Sequence, residues 1–242
     1  MIKGVIFDLD GTIGDTLPVC FEAFRRVFDQ YLGVTHTDAE IRAMFGPTEE
    51  GILIQRLPDA SGAAIARYHE VYAAVHHLAP QPFPGLVDIL DWLEAAAVPV
   101  GIVTGKGARS AATSLQEWGI EHRFDPIEAG SDEGPVKDAK MRLIAERWGI
   151  PTSAVVSVGD VLTDITAART VGAVPIGAAW ATTTDADELR AGGAEAVFTE
   201  VGDLDRWLQA AISPSAPGPS SAGATSAGNA SARPGSGDRR LS

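Results

Sequence analysis

Apolar residues along this chain fall into two patterns that alternate: short unbroken blocks, and longer stretches where they recur every three or four positions. Val5-Ile6-Phe7 is the first block, a buried-strand signature that ends in Asp8. From Thr16 to about Leu78 the pattern is helical, with Leu17, Cys20, Phe21, Phe24, Val27, Phe28 and Tyr31 on one stripe. Thr37 and Glu40 have the spacing of a capping box, and Gly46 is placed to close that helix. Ser61 opens a further helix carrying Ile65, Tyr68, Val71, Tyr72 and Val75.

From Pro84 onward helix and strand patterns alternate. A helix with Leu86, Ile89, Leu90 and Leu93 leads into the block Val100 to Val103, and a helix from Ala108 ends near Gly119. A weak strand is expected at Pro126 to Ala129, a helix at Met141 to Trp148 and a strand at Ala154 to Val158. A helix ending before Gly172, a strand at Val174 to Gly177 and a last pair between Ala196 and Leu208 follow. Strands separated by helix-length segments imply right-handed crossovers. The expected fold is therefore α/β, a Rossmann-like parallel sheet with helices on both faces. The helical stretch between the first strand and Pro84 does not fit that rhythm and reads as an inserted, all-helical cap domain. The expected division is a core of residues 1–15 and 84–212, a cap of 16–83, and a tail of 213–242. The tail is rich in Ser, Ala, Gly and Pro and is expected to be disordered. Its Asn229-Ala230-Ser231 sequon reads as accidental.

Composition narrows the function. Of 242 residues, 45% are hydrophobic, enough for a real core. The net charge of -13 disfavours nucleic acid and anionic lipid as partners. A small anionic substrate would then need a local positive site, such as a metal or a lysine. One cysteine, Cys20, rules out an internal disulfide framework. Asp8 and Asp10 interrupt the first apolar run, so no signal peptide is read there, and no run reaches membrane-spanning length. The expectation is a soluble, cytoplasmic protein.

Four short stretches carry candidate chemistry, and all sit at expected strand ends, where open α/β sheets bind ligands. Asp8-Leu9-Asp10-Gly11-Thr12 places two carboxylates two residues apart, which repel unless a cation or proton intervenes. Gly11 permits a tight exit that lets backbone amides approach an anion. Thr104-Gly105-Lys106 offers a hydroxyl to a phosphoryl oxygen. Lys137 would neutralise charge, with Lys140 as its rival. Gly159-Asp160-Val161-Leu162-Thr163-Asp164 adds two carboxylates to those of Asp8 and Asp10, suited to a hard, oxygen-liking cation. Taken singly, each stretch also reads as a turn, a helix-start charge or a solvated lysine; taken together they point to one site.

In that order the motifs resemble those of the haloacid dehalogenase superfamily over roughly residues 2–210. Thr104-Gly105-Lys106, Phe83-Pro84-Gly85 and the inserted helices resemble its phosphoglycolate phosphatase-like branch. The resemblance implies a magnesium-dependent phosphatase acting on a small phosphorylated metabolite, with a phosphoglycolate-like compound as first guess. It implies Asp8 as nucleophile, forming an aspartyl-phosphate, and Asp10 as acid and base. Thr104 and Lys137 would hold the phosphoryl oxygens. Magnesium would be bound by Asp8, the carbonyl of Asp10 and Asp160, with Asp164 supporting. Gly11, Thr12, Gly105 and Lys106 are the expected substrate-binding residues.

The chain departs from the family in lacking its Lys-Pro motif, reading Gly134-Pro135-Val136-Lys137-Asp138-Ala139-Lys140. Phe45-Gly46-Pro47-Thr48-Glu49-Glu50 reads as a cap loop that sets specificity. Alternatives are a sugar phosphomutase, although Cys20 stands where some mutases resembling this chain carry a histidine, and a non-catalytic binding protein on a phosphatase scaffold. A dehalogenase fits less well, because Asp10 supplies a proton that carbon–halogen displacement does not need. The five histidines show no ligand spacing, and His76-His77 reads as an exposed helix end.

Overall fold

The computed structural model describes residues 1–212; the tail expected at 213–242, with its sequon, lies outside the described residues. Six strands, β1 (Gly4–Phe7), β2 (Val100–Val103), β3 (Ile127–Glu128), β4 (Val155–Gly159), β5 (Val174–Ala178) and β6 (Ala196–Phe198), form one sheet in the order β3-β2-β1-β4-β5-β6. Every neighbouring pair is parallel. The strand order reverses between β1 and β4, so the sheet opens a crevice at their carboxyl ends.

Alternation along the strands decides which helix covers which face. Val5, Phe7, Ile102, Val156 and Val158 point to one side, where they pack with helices α5 (Leu86–Ala95), α6 (Ala108–Glu117) and α10 (Val201–Ala211), numbered here in chain order after the four inserted helices. Ile6, Val103 and Val155 point to the other, against α7 (Lys137–Trp148) and α8 (Leu162–Val171). The expected two-faced sheet is thus present.

The inserted helices are α1 (Leu17–Leu32), α2 (Asp38–Arg42), α3 (Glu49–Arg56) and α4 (Ser61–Ala74). They pack on one another around Phe24, Phe28, Leu53, Tyr68 and Tyr72, a hydrophobic core separate from the sheet's. The helical stripe read from Leu17 to Phe28 faces into this core.

The structure corrects several expectations. The Thr37–Glu40 capping box forms, but its helix stops at Arg42, well before Gly46. Glu49 and Glu50 do not belong to a loop: Thr48 caps α3 by accepting from the Gly51 amide at 3.2 Å, and both glutamates lie in the first turn. His76 is buried, 3% exposed, with Nε2 2.9 Å from Ser114 Oγ. Tyr72 Oη lies 2.8 Å from the same hydroxyl, so α4 and the turn after it are tied to α6 of the sheet domain. A short helix α9 (Ala186–Ala191), capped by Asp185, had no counterpart in the apolar pattern. No described helix is long and apolar enough to cross a membrane.

Candidate active site

The crevice at the switch point is built from two strand ends that touch. Beyond β1, the Asp8 amide donates to the Val158 carbonyl of β4 at 2.8 Å. The chain then turns tightly, the Leu9 carbonyl accepting from the amides of Thr12 and Ile13 at 3.2 and 2.9 Å. Gly11 has φ +77°, and a Cβ there would run into the Asp160 carboxylate beyond β4. A side chain at position 11 would therefore push the two loops apart.

Asp8, Asp160 and Asp164 each present a carboxylate oxygen within 4.8 Å of the others, and all three are buried. Asp164 is held in the first turn of α8, where it accepts the Val161 amide at 3.2 Å. Thr184 donates to Asp160 at 3.2 Å. Burial above all, with repulsion from Asp164 and Asp10, pushes the Asp8 carboxyl up to about 7 against the pull of Lys137. Burial, then Asp8 and Asp164, pushes Asp160 well above the usual carboxylate range. Such a cluster calls for positive charge. Hard carboxylate oxygens gathered this closely fit an oxygen-liking divalent cation.

One lysine already reaches the cluster. Lys137 Nζ lies 2.8 Å from Asp8 Oδ1 and 2.5 Å from Asp164 Oδ1. Burial alone would lower its pKa, but Asp164 and Asp8 outweigh that and hold it above the ordinary lysine value, as a fixed cation. Its rival, Lys140, is one helical turn on and pairs with Glu128 at 2.8 Å instead. The helix starts at Lys137 itself, four residues earlier than the apolar pattern indicated, so the lysine sits in the first turn facing the sheet.

Thr104 follows β2 and is buried beside the cluster. Its amide donates to Glu128 O at 3.0 Å, and its hydroxyl accepts from the Lys106 amide at 3.2 Å. A cleft of about 600 Å³ opens over these groups, bounded by Asp8, Asp10, Thr104, Lys137 and Asp160 below and by Phe45, Pro47 and Ile52 of the inserted helical segment above. Arg42, also from that segment, reaches its wall.

The expected substrate-binding residues divide. Gly105 lines the cleft. Gly11 meets Asp160, and Thr12 is wholly buried, its hydroxyl without a hydrogen-bond partner, because the turn folds it beneath the strand ends. Lys106 lies at the cleft wall, yet its side chain has no exposed surface and its ammonium is engaged by Asp10 and Glu49. The Asp10 carboxylate stands outside the three-carboxylate cluster, between Lys106 and the Thr16 hydroxyl. Glu49 was legible only as part of a specificity loop. Threonine followed by two glutamates is a helix-start signal, and reading it would have placed Glu49 on α3.

The model of haloacid dehalogenase-like hydrolases matches residues 5–178 of the chain. A phosphoglycolate phosphatase of Chromobacterium violaceum is 30% identical over 217 residues, covering 84% of this chain and 95% of its own. A phosphorylated carbohydrates phosphatase of Thermotoga maritima is 29% identical over 180 residues, 71% of this chain and 82% of its own. Among solved structures, a haloacid dehalogenase-like hydrolase from Streptococcus pneumoniae superposes with a TM-score of 0.69 at 27% identity, over 86% of this chain and 99% of that one. With its switch-point carboxylates, parallel six-stranded sheet and inserted helices, the chain belongs to the haloacid dehalogenase-like hydrolase family, in its phosphoglycolate phosphatase-like branch.

Proposed function

We propose that the chain hydrolyses small phosphomonoesters through an aspartyl-phosphate on Asp8, with magnesium as its cation and a phosphoglycolate-like metabolite as the first substrate to test. The observation that carries this reading is the buried cluster of Asp8, Asp160 and Asp164 with Lys137 inside it, at the floor of one cleft. The phosphatases among its relatives support the substrate class.

The geometry supports the following roles. Lys137 holds Asp8 Oδ1 at 2.8 Å, which leaves the other carboxylate oxygen to attack phosphorus. As that bond forms, the bond from phosphorus to the ester oxygen breaks, and Asp10 gives the leaving oxygen its proton. Asp10 then takes a proton from water, whose oxygen attacks phosphorus and frees Asp8. The Thr104 hydroxyl and the Lys137 ammonium are the groups that hold the phosphoryl oxygens. Asp8, Asp160 and the Asp10 carbonyl, with Asp164 in support, would hold magnesium, which when bound would supply the further positive charge that phosphoryl transfer demands. Phosphoryl transfer is mostly positioning and charge stabilisation, and this cluster provides both.

Two measurements test the proposal. Purified chain should release phosphate from phosphoglycolate and other small phosphomonoesters, and chelation should abolish the release; turnover undiminished by chelation would contradict the magnesium role. Asp160→Asn should lower kcat by on the order of a hundredfold, since one charged ligand is lost. The same change should raise the melting temperature of the metal-free protein by a few degrees, because it relieves repulsion among buried carboxylates. Thermal melts with and without magnesium read both effects. A lower metal-free melting temperature in the variant would mean that Asp160 serves packing instead.

A further inference from the structure

Asp10 also belongs to a second group of charged side chains, whose other members, Lys106 and Glu49, the reaction described above does not use. Lys106 Nζ lies 3.1 Å from Glu49 Oε1, 3.2 Å from Asp10 Oδ1 and 2.9 Å from Cys20 Sγ. It also sits 4.7 Å from the centre of the Tyr72 ring. Its side chain is 0% exposed and that of Glu49 is 7%. With its ammonium so engaged, Lys106 is not a free cation waiting for a phosphoryl oxygen.

The partners come from both halves of the molecule. Asp10 and Lys106 belong to the sheet domain, while Cys20, Glu49 and Tyr72 belong to α1, α3 and α4 of the cap. Glu49 also crosses to the sheet domain by a second route. Its Oε2 accepts the Gly107 amide at 2.5 Å, and Gly107 is the residue capping the start of α6. The positive end of that helix favours a carboxylate there. A Cβ at position 107 would strike the Glu49 and Glu50 carboxylates, so glycine lets α3 come this close.

We propose that Glu49 and Lys106 are positioning residues that fix the Asp10 carboxylate for proton transfer, with Glu49 reaching across from α3 to hold the Lys106 ammonium. This rests on the proposed role of Asp10 as the acid in the first step. Glu49 anchors Lys106, and Lys106 reaches both carboxylate oxygens of Asp10, at 3.2 and 3.3 Å, while the Thr16 hydroxyl donates to Oδ1.

The test compares two leaving groups on one preparation. Breaking an alkyl phosphate requires a proton on the departing oxygen, whereas p-nitrophenyl phosphate releases a stabilised phenolate with little need of one. The quantity measured is the ratio of kcat/KM for the alkyl phosphate that wild type hydrolyses fastest to that for p-nitrophenyl phosphate. This ratio does not depend on the fraction of folded protein. Asp10→Asn serves as the reference and should collapse the ratio. Glu49→Gln keeps size and a hydrogen-bond acceptor but removes the charge; it and Lys106→Met should each lower the ratio by about tenfold or more, the scale of a lost charge-assisted hydrogen bond. In the Lys106→Met background, Glu49→Gln should add almost nothing, because the chain of contacts is already broken. A wild-type ratio in Glu49→Gln, or equal losses on both substrates, overturns the positioning role while leaving Asp10 as acid. A wild-type ratio in Asp10→Asn instead overturns the acid role itself.

Discussion

Replacing Asp8 by Asn should remove turnover and leave the fold standing. Asn has nearly the same shape, and the Asp8 amide keeps its 2.8 Å bond to the Val158 carbonyl, so the strand end stays in place. The amide oxygen is a poor nucleophile, and the cation cluster loses one charge. A fall in kcat on the order of 10⁴-fold or more is expected, the scale seen when a covalent nucleophile is removed. The buried cluster drops from three carboxylates to two, and Lys137 keeps Asp164 at 2.5 Å, so metal-free stability should hold or rise slightly. Steady-state kinetics beside a thermal melt checks both. Near-normal turnover in this variant would remove the nucleophile from the account.

Lys137→Ala and Lys140→Ala should behave oppositely, although the two lysines lie on one helix. Lys137 Nζ is the only lysine ammonium among the described residues in contact with both Asp8 and Asp164. Its loss leaves buried carboxylates without their partner, in a site where charge pairs matter more than in water. A drop in kcat of about a hundredfold or more is expected at saturating magnesium. The metal-free protein should also melt lower, since removing one partner of a buried pair costs about 3 kcal/mol. That is the reverse of the shift expected for Asp160→Asn, and the pair of melts reads the sign of the cluster's charge balance. Lys140 pairs with Glu128 near the surface, its side chain 33% exposed, so its removal should cost a few-fold in rate at most and under about 1 kcal/mol. Parallel kinetics on one phosphomonoester decides between them. A crippled Lys140→Ala with a sound Lys137→Ala would shift the third motif by one helical turn.

The sheet was readable because its three central strands are short apolar blocks, buried on both faces and leading into Asp8, Thr104 and Asp160, which no solvent-facing strand would resemble. The inserted helices were readable from the stripe of α1, where Phe21, Phe24 and Phe28 recur at helical spacing. What escaped lacks such a signal. Helix α3 begins with two glutamates that are buried or half-buried, and sequence reading places such residues in solvent. His76 looks like a frayed end until Ser114, 38 residues away, supplies its partner. Lys106 follows a threonine and a glycine at a strand end, as a phosphate-binding lysine would; its engagement by Glu49 depends on how α3 docks, a long-range contact that spacing does not encode. The choice between Lys137 and Lys140 likewise turned on where α7 starts, and an apolar pattern that begins at Met141 cannot place the first turn.

The central claim is that a phosphoryl group passes through Asp8, and acid quenching during turnover, followed by peptide mass spectrometry, tests it most directly. The account expects one phosphoryl group on the peptide containing Asp8, labile to hydroxylamine as an acyl phosphate must be, and absent from Asp8→Asn. A phosphoryl group on any other residue, or none trapped at quench times shorter than a single turnover, would contradict it.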